Sequence, residues 1–317
     1  MIRKSIVGCI AALSLVTCHA PAASSDDTES ERQEEMERPV FSADSCMARL
    51  LEQTAFGARV PNSAAHEACG AYLADRFQRY GAEVSEQRFS VTAWDGNTLR
   101  CVNIQASYRP ELKNRVLLCA HWDSRPWCDE DENPAMAKTP VLAANDGASG
   151  VAVLLEVARC LSLVQPAAGV DIVLFDAEDY GRSEYEDSFC LGSRYWASRV
   201  RESGYMAAYG ILLDMVGDRS AVFRKDAVSL HFAPDVADRV WKTAAGMGYG
   251  NLFDEGDGGS IIDDHYYVNQ LAGIPCIDII HYDNGFPDTW HTARDTPDAI
   301  SPEVLGVVGS VVLSLLY

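Results

Sequence analysis

Four short, uninterrupted apolar runs restrict what this chain can fold into. Arg115–Ala120 (RVLLCA), Val170–Phe175 (VDIVLF), Ala208–Val216 and Ile274–Ile280 (IPCIDII) do not alternate as a strand with one wet face does. They therefore predict strands buried on both sides. Stretches with helical spacing fall between and after them: Ala148–Leu163, Leu191–Glu202, Asp235–Met247 and Pro302–Leu316, the last with Ser301 as its predicted N-cap. A helix over Ala64–Tyr80 comes earlier, followed by runs Glu86–Trp94 and Thr98–Tyr108. These two are joined by Asp95-Gly96-Asn97 and predict an antiparallel pair. The expected fold is a single α/β domain: a central, mostly parallel mixed sheet with helices on both faces. In such sheets, sites form where strands end and loops begin.

The strand ends are where the chemistry concentrates. RVLLCA is followed by His121-Trp122-Asp123, and Asn145-Asp146-Gly147 precedes the first long helix. VDIVLF leads to Asp176, Glu178 and Asp179, and ILL leads to Asp214. His281, Trp290 and His291 follow the last run. Each residue alone has an ordinary reading. Asn-Asp-Gly is usually a turn, and Glu178 or Asp179 alone would be a solvated loop acid. His291 alone would be a structural hydrogen-bonder, and Trp290 and Phe286 would be core. Asp263, in a Gly/Asp-rich loop, would be surface. Asp214 directly after an apolar strand is harder to dismiss, because a buried carboxylate is costly without a partner. Together they predict a metal centre, and imidazole with carboxylate and no thiolate suits zinc. Asp254, Asp257, Asp263 and Asp264 lack the order of a calcium loop. GxSxG, Walker and HExxH signatures are absent.

Asp and Glu number 46 against 26 Lys and Arg, a formal charge of −20. That field repels nucleic acid and anionic lipid, so neither is an expected partner. The hydrophobic fraction of 48% is enough for a sizeable core. Arg3 and Lys4 precede the apolar run Ile6–Val16, which is too short to span a bilayer permanently and reads as an export signal over residues 1–17. The end of that run, Leu15-Val16-Thr17-Cys18, resembles a bacterial lipoprotein box, with cleavage near Ala20–Ala23 as the alternative. The resemblance implies a periplasmic protein, anchored by lipid at Cys18 rather than spanning the membrane. Residues 18–38 then form an acidic flexible tether and 39–317 the catalytic domain. Eight of the ten cysteines lie beyond this leader. Export permits them to pair, although Cys119, Cys160 and Cys276 sit in apolar segments and read as buried thiols.

HWD at 121–123, ANDGASG at 144–150, DAED at 176–179, LLD at 212–214 and WHT at 290–292 occur in the order of the M28 family of zinc aminopeptidases. From Phe56-Gly57-Ala58-Arg59-Val60-Pro61 to the end the chain is similar to that family. Within it the chain most resembles the glutaminyl-peptide cyclotransferases, on FGARVPNS, the long loop Arg125–Val141, Ile262-Asp263-Asp264-His265 and Phe286-Pro-Asp-Thr-Trp290-His291-Thr. The resemblance implies one zinc held by Asp146, Asp179 and His291, with Glu178 as proton shuttle. Asp214 and Asp263 would support Glu178, and Trp290 and Phe286 would line the pocket. Asp179 stands where the family usually has Glu, one methylene longer. The implied substrates are peptides or proteins with an N-terminal Gln, cyclised to pyroglutamate with release of ammonia. His121 and Asp214 also fall on ligand positions of a second metal, so a zinc aminopeptidase is the alternative. A non-catalytic lipoprotein with a degenerate site is a third reading.

Overall fold

Why the apolar runs have no wet face is visible in how their side chains divide. In the computed structural model, which describes residue 1 and residues 38–185 and 187–317, strands β3 (Arg115–His121), β4 (Gly169–Phe175), β5 (Tyr209–Asp214) and β8 (Cys276–Ile280) are buried at every position. Leu118, Ala120, Ile172, Leu174, Ile211 and Leu213 pack on one face, against α1 (Ala43–Thr54), α2 (Ala64–Arg79), α3 (Ala148–Leu163) and α8 (Pro302–Ser314). Leu117, Cys119, Val173, Phe175 and Leu212 pack on the other, against Trp196 of α4 (Leu191–Val200) and Val268. Successive residues alternate between two apolar layers, so the strand is apolar at most positions, and a charge such as Asp171 is kept only with buried partners.

The sheet has six strands in the order β1-β2-β4-β3-β5-β8. β1 (Glu83–Thr92) and β2 (Thr98–Tyr108) are the expected antiparallel pair, and β2 runs antiparallel to β4. From β4 to β8 all pairings are parallel. The chain leaves β3, makes β4 on one side of it and β5 on the other. This switch opens a crevice at the carboxyl ends of β3, β4 and β5, the place such a sheet offers a ligand. Helix α3 reaches it closely because a side chain at Gly150 would run into the Leu213 carbonyl. Only Arg159, Ser162 and Leu163 of α3 escape burial.

The predicted elements are present with their ends moved by a few residues: α4 stops at Val200, β5 spans Tyr209–Asp214, β1 starts three residues early, and α6 covers Pro234–Gly246. Ser301 caps α8 as expected. Unanticipated elements are α1, capped by Ser42, the small sheet of β6 (Phe223–Lys225) and β7 (Phe253–Asp257), α5 (Ala227–Phe232), and α7 (Asp264–Tyr267), which runs into a π-helical turn at Val268–Ala272. Apart from α1, these are short, and their packing partners are distant in sequence. All eight cysteines from Cys46 onward are free and buried, Cys119, Cys160 and Cys276 among them. Of the leader (1–17) and tether (18–38), residues 2–37, Cys18 among them, lie outside the described residues.

Candidate active site

The crevice gathers residues that are far apart in sequence. Asp146 precedes α3, Asp179 follows β4, and His291 follows the loop after β8. Each offers a ligand atom, these atoms lie within 4.8 Å of one another, and all three residues are buried. His291 Nε2 is 3.1 Å from Asp179 Oδ1 and 3.6 Å from Asp146 Oδ2. The other Asp179 oxygen is buried without a hydrogen-bond partner. Two carboxylates and an imidazole converging on one point, with a carboxylate oxygen left over, fit a zinc ion by donor type and by need. A second group shares Asp146: His121 Nε2 lies 2.9 Å from Asp146 Oδ1 and 3.2 Å from Asp214 Oδ1.

Buried polar groups, Asp123 of the HWD motif among them, hold these side chains. Asp123 accepts the backbone N–H groups of Glu178 (3.0 Å) and Asp179 (3.2 Å). Asp295 does the same for Asn145 (2.7 Å) and Asp146 (3.1 Å). Arg125 donates to Asp179 Oδ1 at 3.0 Å and grips Asp129 through two bonds of 2.6 and 2.7 Å. The shorter Asp179 side chain is thus tied down by an arginine from the long loop. Ala177, Met215 and His291 adopt positive φ of 54°, 48° and 54°, a conformation costing L-residues about 1–3 kcal/mol each and concentrated at functional sites.

Electrostatics separates the carboxylates. Burial pushes Asp179 up, but His291 and Arg125 outweigh it and hold it down at about 2. Burial together with Asp179 and Asp214 pushes Asp146 up to about 6. Glu178, half-buried, is raised well above the usual range, first by burial and then by Asp179, Asp263 and Asp264. His121 is driven down by burial, yet its bonds to Asp123, Asp146 and Asp214 prevail and raise it well above its ordinary value.

Beside Glu178 lies a further acid cluster. Glu178, Cys190 and Asp263 bring donor atoms within 4.8 Å, and so do Asp263, His265 and Asp278. The Cys190 thiol donates to Glu178 Oε1 at 3.3 Å. His265 Nε2 is 3.3 Å from Asp226 Oδ1. Neither oxygen of Asp264 or of Asp278 has a hydrogen-bond partner. Burial and Asp214 raise Asp263 to about 6.

The structure brings Asp146, Asp179 and His291 together, places Asp214 with His121 and Asp146, and places Asp263 with Glu178. Phe286 and Trp290 are half-buried and stack at 4.4 Å, and Trp290 stacks on His291 at 3.7 Å. Trp122, between His121 and Asp123, sits fully buried with its indole N–H on the Val102 carbonyl. Asp254 pairs with Arg224 and Asp257 caps a local turn, while Asp263 and Asp264 are buried, so the four share no loop site. Sequence reasoning missed Arg125, Asp264, Asp278 and Asp295. Only Asp278, a lone acid inside an apolar strand, carried a local signal.

Comparison with known proteins agrees with this geometry. The crystal structure of a Bacteroides thetaiotaomicron glutaminyl cyclase bound to N-acetylhistamine matches with 48% identity over 88% of this chain and 99% of that one, at a TM-score of 0.86. A Zn-dependent exopeptidase from Parabacteroides distasonis matches with the same identity, coverage and TM-score. Aminopeptidase YwaD of Bacillus subtilis is 27% identical over 213 residues, 64% of this chain and 40% of that protein. The matched region spans about two fifths of the length of the curated relatives. The model of Peptidase family M28 matches residues 103–316, from β2 through α8, and the chain belongs to that family.

Proposed function

We propose that the protein is a zinc-dependent glutaminyl-peptide cyclotransferase that converts the N-terminal Gln of peptides or proteins to pyroglutamate and releases ammonia. The observation that carries this reading is one crevice joining three things. They are the Asp146–Asp179–His291 group, a half-buried Glu178 with raised basicity beside it, and the stacked Phe286–Trp290 pair. The likeness to a glutaminyl cyclase over 88% of this chain supports it.

Asp146, Asp179 and His291 would hold one zinc, which when bound supplies a Lewis acid for a carbonyl oxygen. Cyclisation joins the α-amine nitrogen to the side-chain amide carbon, and the bond from that carbon to the amide nitrogen breaks. The amine gives up one proton and the departing nitrogen takes one, so a single carboxyl can carry it. Glu178 is placed for that task, and its raised basicity suits a group that must both take and return a proton. Asp179, Asp263 and Asp264 keep Glu178 in a negative environment that favours the protonated carboxyl, and Asp214 in turn raises Asp263. Phe286 and Trp290 form an apolar wall that holds the glutamine folded and limits water, giving the internal amine a large effective concentration.

The decisive measurement is incubation of the zinc-loaded protein with a Gln-initiated peptide. Ammonia release with a product lighter by one ammonia is expected. Removal of the whole residue would instead establish an aminopeptidase, a reading kept open because His121, Asp146 and Asp214 also converge. Two tightly held zinc ions per chain would favour that second reading.

We also infer that residues 39–317 are the catalytic unit of an exported protein anchored through lipid at Cys18, on the strength of Arg3, Lys4 and the Ile6–Val16 run. Cells fed labelled palmitate should label the wild-type chain, and Cys18→Ser should abolish the label. Equal labelling of both would end the lipoprotein reading.

A further inference from the structure

Helix α2 contributes nothing to the groups of possible metal ligands, yet one of its side chains reaches the backbone that carries them. His66, in its first turn, places Nε2 2.9 Å from both oxygens of Asp176. The same ring stacks on Trp122, with centroids 4.3 Å apart and planes 16° from parallel. The two side chains of the pair are 6% and 0% exposed.

What His66 touches gives the contact its meaning. Asp176 directly follows β4 and precedes Ala177-Glu178-Asp179. Trp122 lies between His121 and Asp123 at the end of β3. Asp123 receives the backbone N–H groups of Glu178 and Asp179. One imidazole therefore grips both strand ends that form the crevice, and Asp123 joins those ends again on the site side. Asp176 is fixed further through the Val102 N–H (2.6 Å) and through its own N–H to Asn103 Oδ1 (3.0 Å). A plain fold-stabilising role would need only that Asp176 be satisfied. Stacking on the neighbouring strand end instead sets the spacing between the segments.

We propose that His66 is a positioning residue: through Asp176 and Trp122 it fixes the ends of β3 and β4 relative to each other. It thereby sets Glu178 and Asp179 against Asp146 and His291. The proposal rests on the reading of this crevice as a zinc-dependent cyclase.

The test separates positioning from mere stability. His66→Phe keeps a ring for the stack and loses the N–H to Asp176, while His66→Gln keeps an N–H donor and loses the stack. Both are measured as folded, full-length protein by two readouts: zinc affinity in competition with a chelator, and turnover of a Gln-initiated tripeptide. For His66→Phe, zinc affinity and kcat should each fall about tenfold, the scale at which groups supporting metal ligands act, with KM nearly unchanged. His66→Gln should recover part of the zinc affinity. Wild-type zinc affinity and kcat in folded His66→Phe, with only a lower Tm, would overturn the proposal. If the wild-type chain releases no ammonia, the cyclase reading falls, and the zinc-affinity arm still decides whether His66 positions the site.

Discussion

Two sets of buried carboxylates in this protein are treated in opposite ways. Asp171, inside β4, is answered on every side: Arg115 binds it at 2.5 and 2.7 Å, Ser107 at 2.6 Å and Tyr205 at 2.7 Å. A few residues further along the same strand the chain enters the crevice. There Asp263, Asp264 and Asp278 lie buried with oxygens that no donor meets. A buried charge that is matched belongs to the fold; here the acids are crowded, with only His265 facing Asp278 at 3.8 Å, and they raise one another.

The comparison can be broken most forcefully at Glu178. Glu178→Gln should keep zinc and the fold while ammonia release falls on the order of 10²–10⁴-fold, the usual contribution of a placed acid-base group. Activity within a few-fold of wild type would show that the unmatched cluster does not carry the proton. At the matched pair, Arg115→Met should cost about 3–5 kcal/mol in urea denaturation, because it leaves Asp171 as a lone buried charge. Zinc content of the folded fraction should stay at the wild-type level. A mild effect there would mean that the pair is less committed to the fold than its geometry suggests.

Asp278 offers a smaller and oppositely signed effect. Burial, then Asp263 and Asp226, raise its carboxyl well above the usual range. A carboxyl with a raised folded value binds more protons folded than unfolded. Stability therefore falls as pH rises from the unfolded value of about 4 towards the folded one, and the penalty remains above it. Asp278→Asn removes that group. Its stability relative to wild type should improve by about 1 kcal/mol between about pH 5 and about pH 8, read by urea denaturation. Loss of stability at the higher pH would mean that His265, 3.8 Å away, stabilises the ionised Asp278.

Much of this was legible along the chain, because the strongest signals are local. Fully apolar runs mean two covered faces, and acids at their ends cannot be accidental cargo of buried strands. Asp146, Glu178, Asp179, Asp214 and His291 were found that way. Asp263 needed the family resemblance, since its Gly/Asp-rich loop reads as surface. Arg125 and Asp295 were invisible for a different reason. Each acts on a backbone or side chain many residues away, as Arg125 does on Asp179 and Asp295 on Asn145 and Asp146.

The amino-acid order by itself determined which segments must be buried, which residues stand at their ends, and that carboxylate and imidazole would meet there. Periodicity and side-chain chemistry are properties of neighbours in the chain. Only the tertiary structure decided which acids would be answered and which left unmatched. Arg115 and Asp171 meet on adjacent parallel strands. His66 reaches Asp176 and Trp122 from a helix outside the site. Matching depends on distance through space in a low-dielectric interior, and that distance is set by strand order and helix packing rather than by separation along the chain.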